Sequence, residues 1–505
     1  MAFNFFEAIK KIEDDRKVLT ENGAVAYATT GKALLDMNFK VASYRSKTEN
    51  EIVNDFLKAY AEDPELAVKW MFYAGDVREG LGERRLFRTL IKHIIPRYKH
   101  LLPLIGEYNR FDSLFELFGT DAEKDMLDFV TVQLHKDLED AKADKSISLL
   151  AKWMPSVNTS SKATRALAHK FIANMGLTEK KYRKMLSALR AKIGVIEKQL
   201  CADEWSEVNY ESVPSKANLK YKNAFLKHDE TRRREFLGKL AKGEVKINSG
   251  VLYPHDIAAK YRGCNVYSRI GAYDAALEGL WKNLPNMVDA SKPVIVVRDG
   301  SGSMGIRVDP NGQTTALDVA TALAIYFAER TSDAYKDQFI TFSEHPKYIS
   351  LKGLTSLHDK LVRAYQETEC ANTNIEAVFD LLLDVAKKNG VRQEEIPTVL
   401  IVSDMEFDGC AVSNDCYHRG SVNRTLFENI AAKWQKAGYI LPRCVFWNVN
   451  SRTGAIPVRE NEAGVALVSG FSANICKMVC SNELDPYKAL KEVLLADRYA
   501  SVTLQ

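Results

Sequence analysis

Between Ser291 and Val468 short apolar runs alternate with helix-length segments, and this alternation limits the possible folds more than any other feature of the chain. The runs are Pro293–Val297, Phe339–Phe342, Thr398–Val402, Cys444–Trp447 and Val465–Val468. Helical periodicity fills Thr315–Arg330, Leu354–Tyr365, Asn374–Lys388 and Asn423–Ala437 between most of them. Strands that are apolar on both faces need cover on both, and a helix after each strand supplies it. The pattern therefore predicts a Rossmann-like α/β domain with a parallel, doubly wound sheet over residues 286–505. Such sheets bind ligands outside the carboxyl ends of their strands.

That end of the first strand carries Asp299-Gly-Ser301-Gly-Ser303-Met-Gly305. One carboxylate and two hydroxyls are hard oxygen donors, suited to Mg²⁺, Mn²⁺ or Ca²⁺ and not to zinc or copper. Gly300, Gly302 and Gly305 permit a tight backbone path. Further on, Cys370-Ala-Asn-Thr373-Asn374 offers the Thr373 hydroxyl just ahead of a helix. The run 398–402 then ends in Ser403-Asp404, which sets a second carboxylate at the same sheet edge. Glu406 and Asp408 read as a solvated loop; the other reading is added negative charge at the site.

In order and context these residues resemble the metal-ion-dependent adhesion site of von Willebrand factor A domains. The resemblance implies a divalent cation, Mg²⁺ first, held directly or nearly so by Asp299, Ser301 and Ser303. Thr373 and Asp404 would act directly or through water. A sixth position would be left for water or for the carboxylate of an acidic protein partner.

Gly300–Gly305 also satisfies GxGxxG after a strand, but Asp299 would aim its charge at a pyrophosphate. No acidic residue ends a second strand about twenty residues on, where Gln313–Arg330 is helical instead. Cys410, Cys416 and His418 lack a fourth ligand at zinc-site spacing. The eight cysteines include no CxxC pair and read as reduced thiols. No apolar run is long enough to span a bilayer and no signal peptide is evident, so the expectation is a cytoplasmic protein without a membrane partner. The pairs His228-Asp229 and His255-Asp256 are neighbours in sequence without a nucleophile elbow, and the chain reads as non-enzymatic.

Residues 1–285 read as helices: Asn50–Tyr60, a second from Pro64, a third over Leu86–Ile95, then Leu101–Ile105 and one beginning at Phe111. Short helices joined by tight turns predict an all-α helical-repeat array. Trp70-Met-Phe-Tyr-Ala-Gly-Asp76-Val-Arg78-Glu-Gly80-Leu-Gly82-Glu83-Arg84-Arg85-Leu-Phe-Arg88 and Tyr108-Asn-Arg110-Phe111-Asp112-Ser-Leu114 resemble the recurring elements of TROVE-type modules, found in the Ro autoantigen and in telomerase- and vault-associated proteins. Trp205–Lys216, Lys227-His228-Asp229 and Leu252–His255 are similar to a related branch, found in bacteria, phages and plants, that carries the same carboxy-terminal domain. These resemblances imply a HEAT-like arc or ring of helices that holds small or structured RNA, as a ribonucleoprotein component.

Charge agrees in part. Residues 161–250 hold twenty Lys+Arg against ten Asp+Glu, a net +10, which leaves −6 for the rest of a chain whose total is +4. That segment reads either as an anionic-partner footprint or as a solvated helical face. Arg183, Lys184, Arg190, Lys216, Lys220, Lys222, Lys227, Arg232, Arg233 and Arg234 are the candidate phosphate contacts. Tyr182, Tyr210 and Tyr221 either stack on unpaired bases or pack helices, with packing preferred. Asp76, Arg78, Glu83 and Arg84 read as an internal ion network that fixes a turn.

Overall fold

A computed structural model of the chain describes residues 17–262, 270–291, 293–308, 312–332, 334–367, 371–408, 426–457, 465–472, 475 and 485–505. It has a largely helical amino-terminal region and a carboxy-terminal mixed sheet of six strands.

The strands are β1 (Lys17–Leu19), β2 (Val25–Tyr27), β3 (Val294–Asp299), β4 (Gln338–Phe342), β5 (Lys347–Ser350), β6 (Thr398–Ser403), β7 (Cys444–Asn448) and β8 (Val465–Ser469). β1 and β2 form an antiparallel pair. The other six follow the order β5-β4-β3-β6-β7-β8, parallel throughout except for the antiparallel edge strand β5. Every apolar run singled out in the sequence is a strand of this sheet. β5 is the addition, and its Tyr348 is exposed, as an edge strand allows. From β3 the chain winds first towards β4 and β5, then returns to β6 and continues outward to β8. The order therefore switches between β3 and β6.

The helix Ala316–Ala328 lies against β3, β4 and β6, and all of its side chains are buried. A helix apolar around its whole circumference needs cover on every side. A capping box at Thr315 and Asp318 starts it. Leu357–Gln366, Ile375–Asn389 and Leu426–Lys436 are helices, each within three residues of its sequence-predicted start.

By compactness the chain divides into two units, Met1–Ala67 with Ser249–Arg498, and Val68–Asn248 with Tyr499–Gln505. This division departs from the expected one at 285/286. In the first unit Tyr27 and Ile456 exchange two backbone hydrogen bonds of 2.8 and 2.9 Å. Asn448 Nδ2 donates to the Phe39 carbonyl at 2.8 Å, and Ala42 N donates to Ser469 Oγ at 3.1 Å. The amino-terminal segment is thus bonded into the sheet that the carboxy-terminal half builds.

The second unit consists of helices, among them Arg84–Ile94, Glu123–Lys142, Lys162–Asn174, Glu179–Ile193, Ser215–His228 and Glu230–Lys242. Phe111–Leu117 is a 3₁₀ run and not the start of an α-helix. Asp76, fully buried, accepts from Arg78 N at 2.9 Å and from Tyr499 Oη at 3.2 Å. Gly80 tolerates no side chain, because a Cβ there would stand 2.0 Å from the Tyr73 carbonyl. Tyr499 stacks on Tyr108 at 5.6 Å between ring centroids, so the end of the chain belongs to this helical core.

Candidate functional site

Asp299 is the last residue of β3, and Asp404 directly follows β6, so the strand switch sets both carboxylates at one rim of the sheet. Both are fully buried. Asp299 Oδ1 accepts from Ser301 N at 2.9 Å, and its Oδ2 accepts from Ser403 Oγ at 2.5 Å. Ser301 Oγ and Ser303 Oγ lie 3.1 Å apart. Gly302 N donates to the Ala371 carbonyl at 3.3 Å, which ties the loop after β3 to the segment that carries Thr373. Ser343, just beyond β4, braces that segment through Ala371 N and the Asn372 carbonyl, both at 2.9 Å.

Burial, then the charge of Asp299, pushes the Asp404 carboxyl up to about 7, against the pull of Arg452 and the Ser303 hydroxyl. Burial raises Asp299 as well, opposed by hydrogen bonds from Ser403 and Ser301 and by the Arg298 guanidinium. Two buried carboxylates, both raised by burial and one of them further by the other's charge, faced by hydroxyl oxygens, form an oxygen-only set that a hard divalent cation fits. Among the described residues no group of three or more His, Cys, Asp or Glu side chains could hold a metal ion. Among the described residues, a cation here would draw on two carboxylates, with hydroxyls completing the set. Cys410, Cys416 and His418 lie outside the described residues.

The loop reading of Glu406 is corrected by its burial. Its carboxylate is fully buried and accepts from Glu21 N (2.8 Å), Arg452 N (2.8 Å), Thr453 N (3.0 Å) and the Ser451 and Thr453 hydroxyls. It staples the 451–453 loop and the amino-terminal segment together. Asp408 is half-buried and holds Thr373 in place, accepting from Thr373 N at 2.9 Å and donating its own N–H to the Thr373 carbonyl at 3.0 Å. Sequence reasoning also missed Ser403, Arg452 and Asn22. Arg452 Nη1 lies 3.1 Å from Asp404 Oδ2, and Asn22 Nδ2 lies 3.1 Å from Thr373 Oγ1. Ser403 had a local signal, a hydroxyl at a strand end beside Asp404. Asn22 had none, since 351 residues separate it from its partner. Met405 adopts φ +64°, an unfavourable backbone for a branchless long side chain, and this turns the chain sharply between Asp404 and Glu406.

The helical unit holds a groove of about 1200 Å³. Lys152, Lys180, Arg183, Lys184, Arg190, Lys198, Lys216 and Lys220 line it, with Glu197 as the single acidic residue. Five of the ten sequence-predicted cations meet here, joined by Lys152, Lys180 and Lys198. Arg190 is partly a strut, because its guanidinium donates to the Ala151 and Met154 carbonyls and to Ser156 Oγ.

The remaining five line no part of the groove. Lys227 is exposed, and Lys222 donates to Asn223 Oδ1. Arg232 pairs with Asp229 and bonds the Trp205 and Val208 carbonyls. Arg233 is fully buried over the rings of Tyr210, Phe225 and Phe236. Arg234 pairs with Glu230 one helical turn away. The tyrosines pack helices: Tyr182 donates to the Pro155 carbonyl, Tyr210 to Asp229, and Tyr221 to Glu197. His228 stacks on Trp205, and Asp256 accepts from Tyr253 N.

Residues 293–493 match a domain of unknown function (DUF7788), and residues 20–95 and 116–291 match another (DUF2828). The chain is 30% identical over 520 residues to the uncharacterized protein L728 of Acanthamoeba polyphaga mimivirus, covering 94% of this chain and 86% of the viral one. It belongs to the same family as that viral protein. No helix among the described residues is long and apolar enough to cross a membrane.

Proposed function

We propose that this chain is a non-enzymatic RNA-binding protein, with the cation-lined groove as its binding surface. The observation that carries this reading is the gathering of eight cationic side chains against one acidic one along a single concavity. Phosphates are bound chiefly by such clustered Lys and Arg, and a groove selects a polymer over a scattered ion cloud. Trp153 also lines the groove, its ring carrying the Arg110 guanidinium at 3.7 Å. The TROVE-like elements, and the HEAT-like arc they imply, point the same way.

The test is binding of a short single-stranded RNA at low salt. Reversal of Arg183, Lys184 and Lys216 to Glu is expected to weaken binding by more than about tenfold and to flatten its salt dependence by roughly one unit of slope per lost phosphate contact. An unmodified chain that retains no RNA at low salt removes the reading.

A second reading is favoured by the rim at the strand switch. We propose that Asp299, Ser301, Ser303, Thr373 and Asp404 hold Mg²⁺ or another hard divalent cation, as in a von Willebrand factor A-like domain, and that the cation captures an acidic group of a partner. The two carboxylates buried at one rim, both raised by burial, support it. Calorimetric titration with Mn²⁺ is expected to show one site that Asp299→Ala abolishes. Retained binding in that variant would refute the assignment. The two readings use different halves of the chain and are compatible.

A further inference from the structure

The rim is not bare. The turn Thr20–Gly23, between β1 and β2, is bonded across it. Thr20 Oγ1 donates to the Phe407 carbonyl at 2.6 Å, and Gly23 forms an antiparallel bridge with Asp408. Asn22 Nδ2 donates to the Glu406 carbonyl at 2.7 Å and to Thr373 Oγ1 at 3.1 Å. The Glu21 carboxylate pairs with Arg452, whose other Nη reaches Asp404. The turn therefore touches Thr373 directly and reaches Asp404 through one guanidinium.

Exposure separates the two carboxylates that Arg452 bridges. The Asp404 side chain is 1% exposed, whereas that of Glu21 is 55% exposed. One is fixed in the protein and the other is held at the solvent edge. A cation drawing on Asp404 competes with Arg452 for the same oxygens. It also changes the field that Glu21 meets, because a divalent cation neutralises the two buried carboxylates and leaves the Arg452 charge uncompensated there.

We propose that this turn is the in-chain occupant of the rim, with Glu21 the carboxylate that an acidic partner must displace. The inference rests on the cation reading above. It identifies the partner's chemistry: an extended acidic segment bearing a carboxylate and a neighbouring amide, in the manner of Glu21-Asn22. Thermodynamic reciprocity ties the two effects together: a cation that steadies the turn is itself held more tightly by the turn.

The test uses the full chain and Mn²⁺ alone. Mn²⁺ is expected to slow amide hydrogen exchange across residues 20–24 by about fivefold or more, and Glu21→Gln is expected to weaken Mn²⁺ binding by a similar factor, the lower end of ordinary site coupling. Glu21→Gln with Asn22→Ala should also raise the water-proton relaxation produced by each bound Mn²⁺, as solvent gains access to it. If Mn²⁺ fails to bind, or binds equally to Asp299→Ala, the cation reading falls and takes this inference with it. If Mn²⁺ binds through Asp299 while turn exchange, affinity and relaxation all stay unchanged, the occupancy is overturned and the cation reading stands. The exchange measurement needs no variant, so a misfolded variant does not shield the inference.

Discussion

Asp404 is the residue whose chemistry is most constrained by its surroundings. Its carboxyl, ordinarily near 3.8, is pushed up to about 7 by burial and by Asp299. A carboxyl raised on folding favours the folded chain at low pH, and that contribution is lost as pH rises through the raised value. With chelator present, the melting temperature is therefore expected to rise as pH falls from 8 towards 5. Mg²⁺ should stabilise more at pH 8 than at pH 6, because protons compete with it. A Mg²⁺ effect independent of pH would contradict the rim assignment. Glu406 poses a different problem, since its carboxylate satisfies three backbone N–H groups. Glu406→Ala leaves those part-buried donors without this acceptor and is expected to cost about 1–3 kcal/mol, read as a fall in the first thermal transition. Glycines in the loop after β3 are not equivalent either. A Cβ at Gly300 would meet Thr341 Oγ1 at 3.0 Å and Phe342 O at 3.3 Å, while one at Gly302 meets nothing nearer than 4.0 Å. Gly300→Ala is expected to destabilise by about 1–3 kcal/mol and Gly302→Ala by under about 0.5 kcal/mol.

Among the elements, the helix pair Ser215–His228 and Glu230–Lys242 separates cations that hold the fold from cations that face solvent. Arg233 is buried over three aromatic rings, with Nη1 3.3 Å from Asn218 Oδ1, so it spans the two helices. Arg233→Ala is expected to lower stability by about 3 kcal/mol, since it removes packing and leaves Asn218 short of a donor. Arg183 and Lys184, exposed on the helix Glu179–Ile193, should change the melting temperature little when reversed. Thermal scans beside RNA binding on the same variants tell the two classes apart. Loss of binding by Arg183→Glu with an unchanged melt marks the groove; loss only where the melt also falls marks a strut.

For the whole molecule, family boundaries and compact units disagree. The two matched domains meet between residues 291 and 293, yet residues through Ala67 and from Ser249 pack with the sheet. The reason is the register of Tyr27 with Ile456 and the bonds from Phe39 and Ala42 to β7 and β8. A polypeptide of residues 286–505 alone is expected to melt lower and to aggregate, because it exposes the apolar surface that Leu34, Leu35 and Phe39 cover. Adding residues 17–67 as a separate chain should restore the melt. Equal stability with and without that segment would show the segment to be dispensable.

The sheet was legible in the sequence because buried parallel strands must be apolar at nearly every position and must alternate with covering helices, a pattern set by neighbouring residues. The placement of Asp299 and Asp404 at one rim was legible for the same reason: strand ends on a parallel sheet share one edge, so order along the chain fixes where they lie. The role of Glu406 was not, since a carboxylate two residues past a strand looks solvent-bound until the segments that cover it are known. The rim's closure by Glu21, Asn22 and Arg452 was equally hidden, because it depends on hydrogen bonds between residues hundreds of positions apart. The same holds for the arginines. A run of Arg232, Arg233 and Arg234 carries one charge pattern, but helix phase sends one into a core, one to backbone carbonyls and one to solvent. Local periodicity determined the elements, and long-range pairing decided which polar groups hold the fold and which stay at the solvent surface.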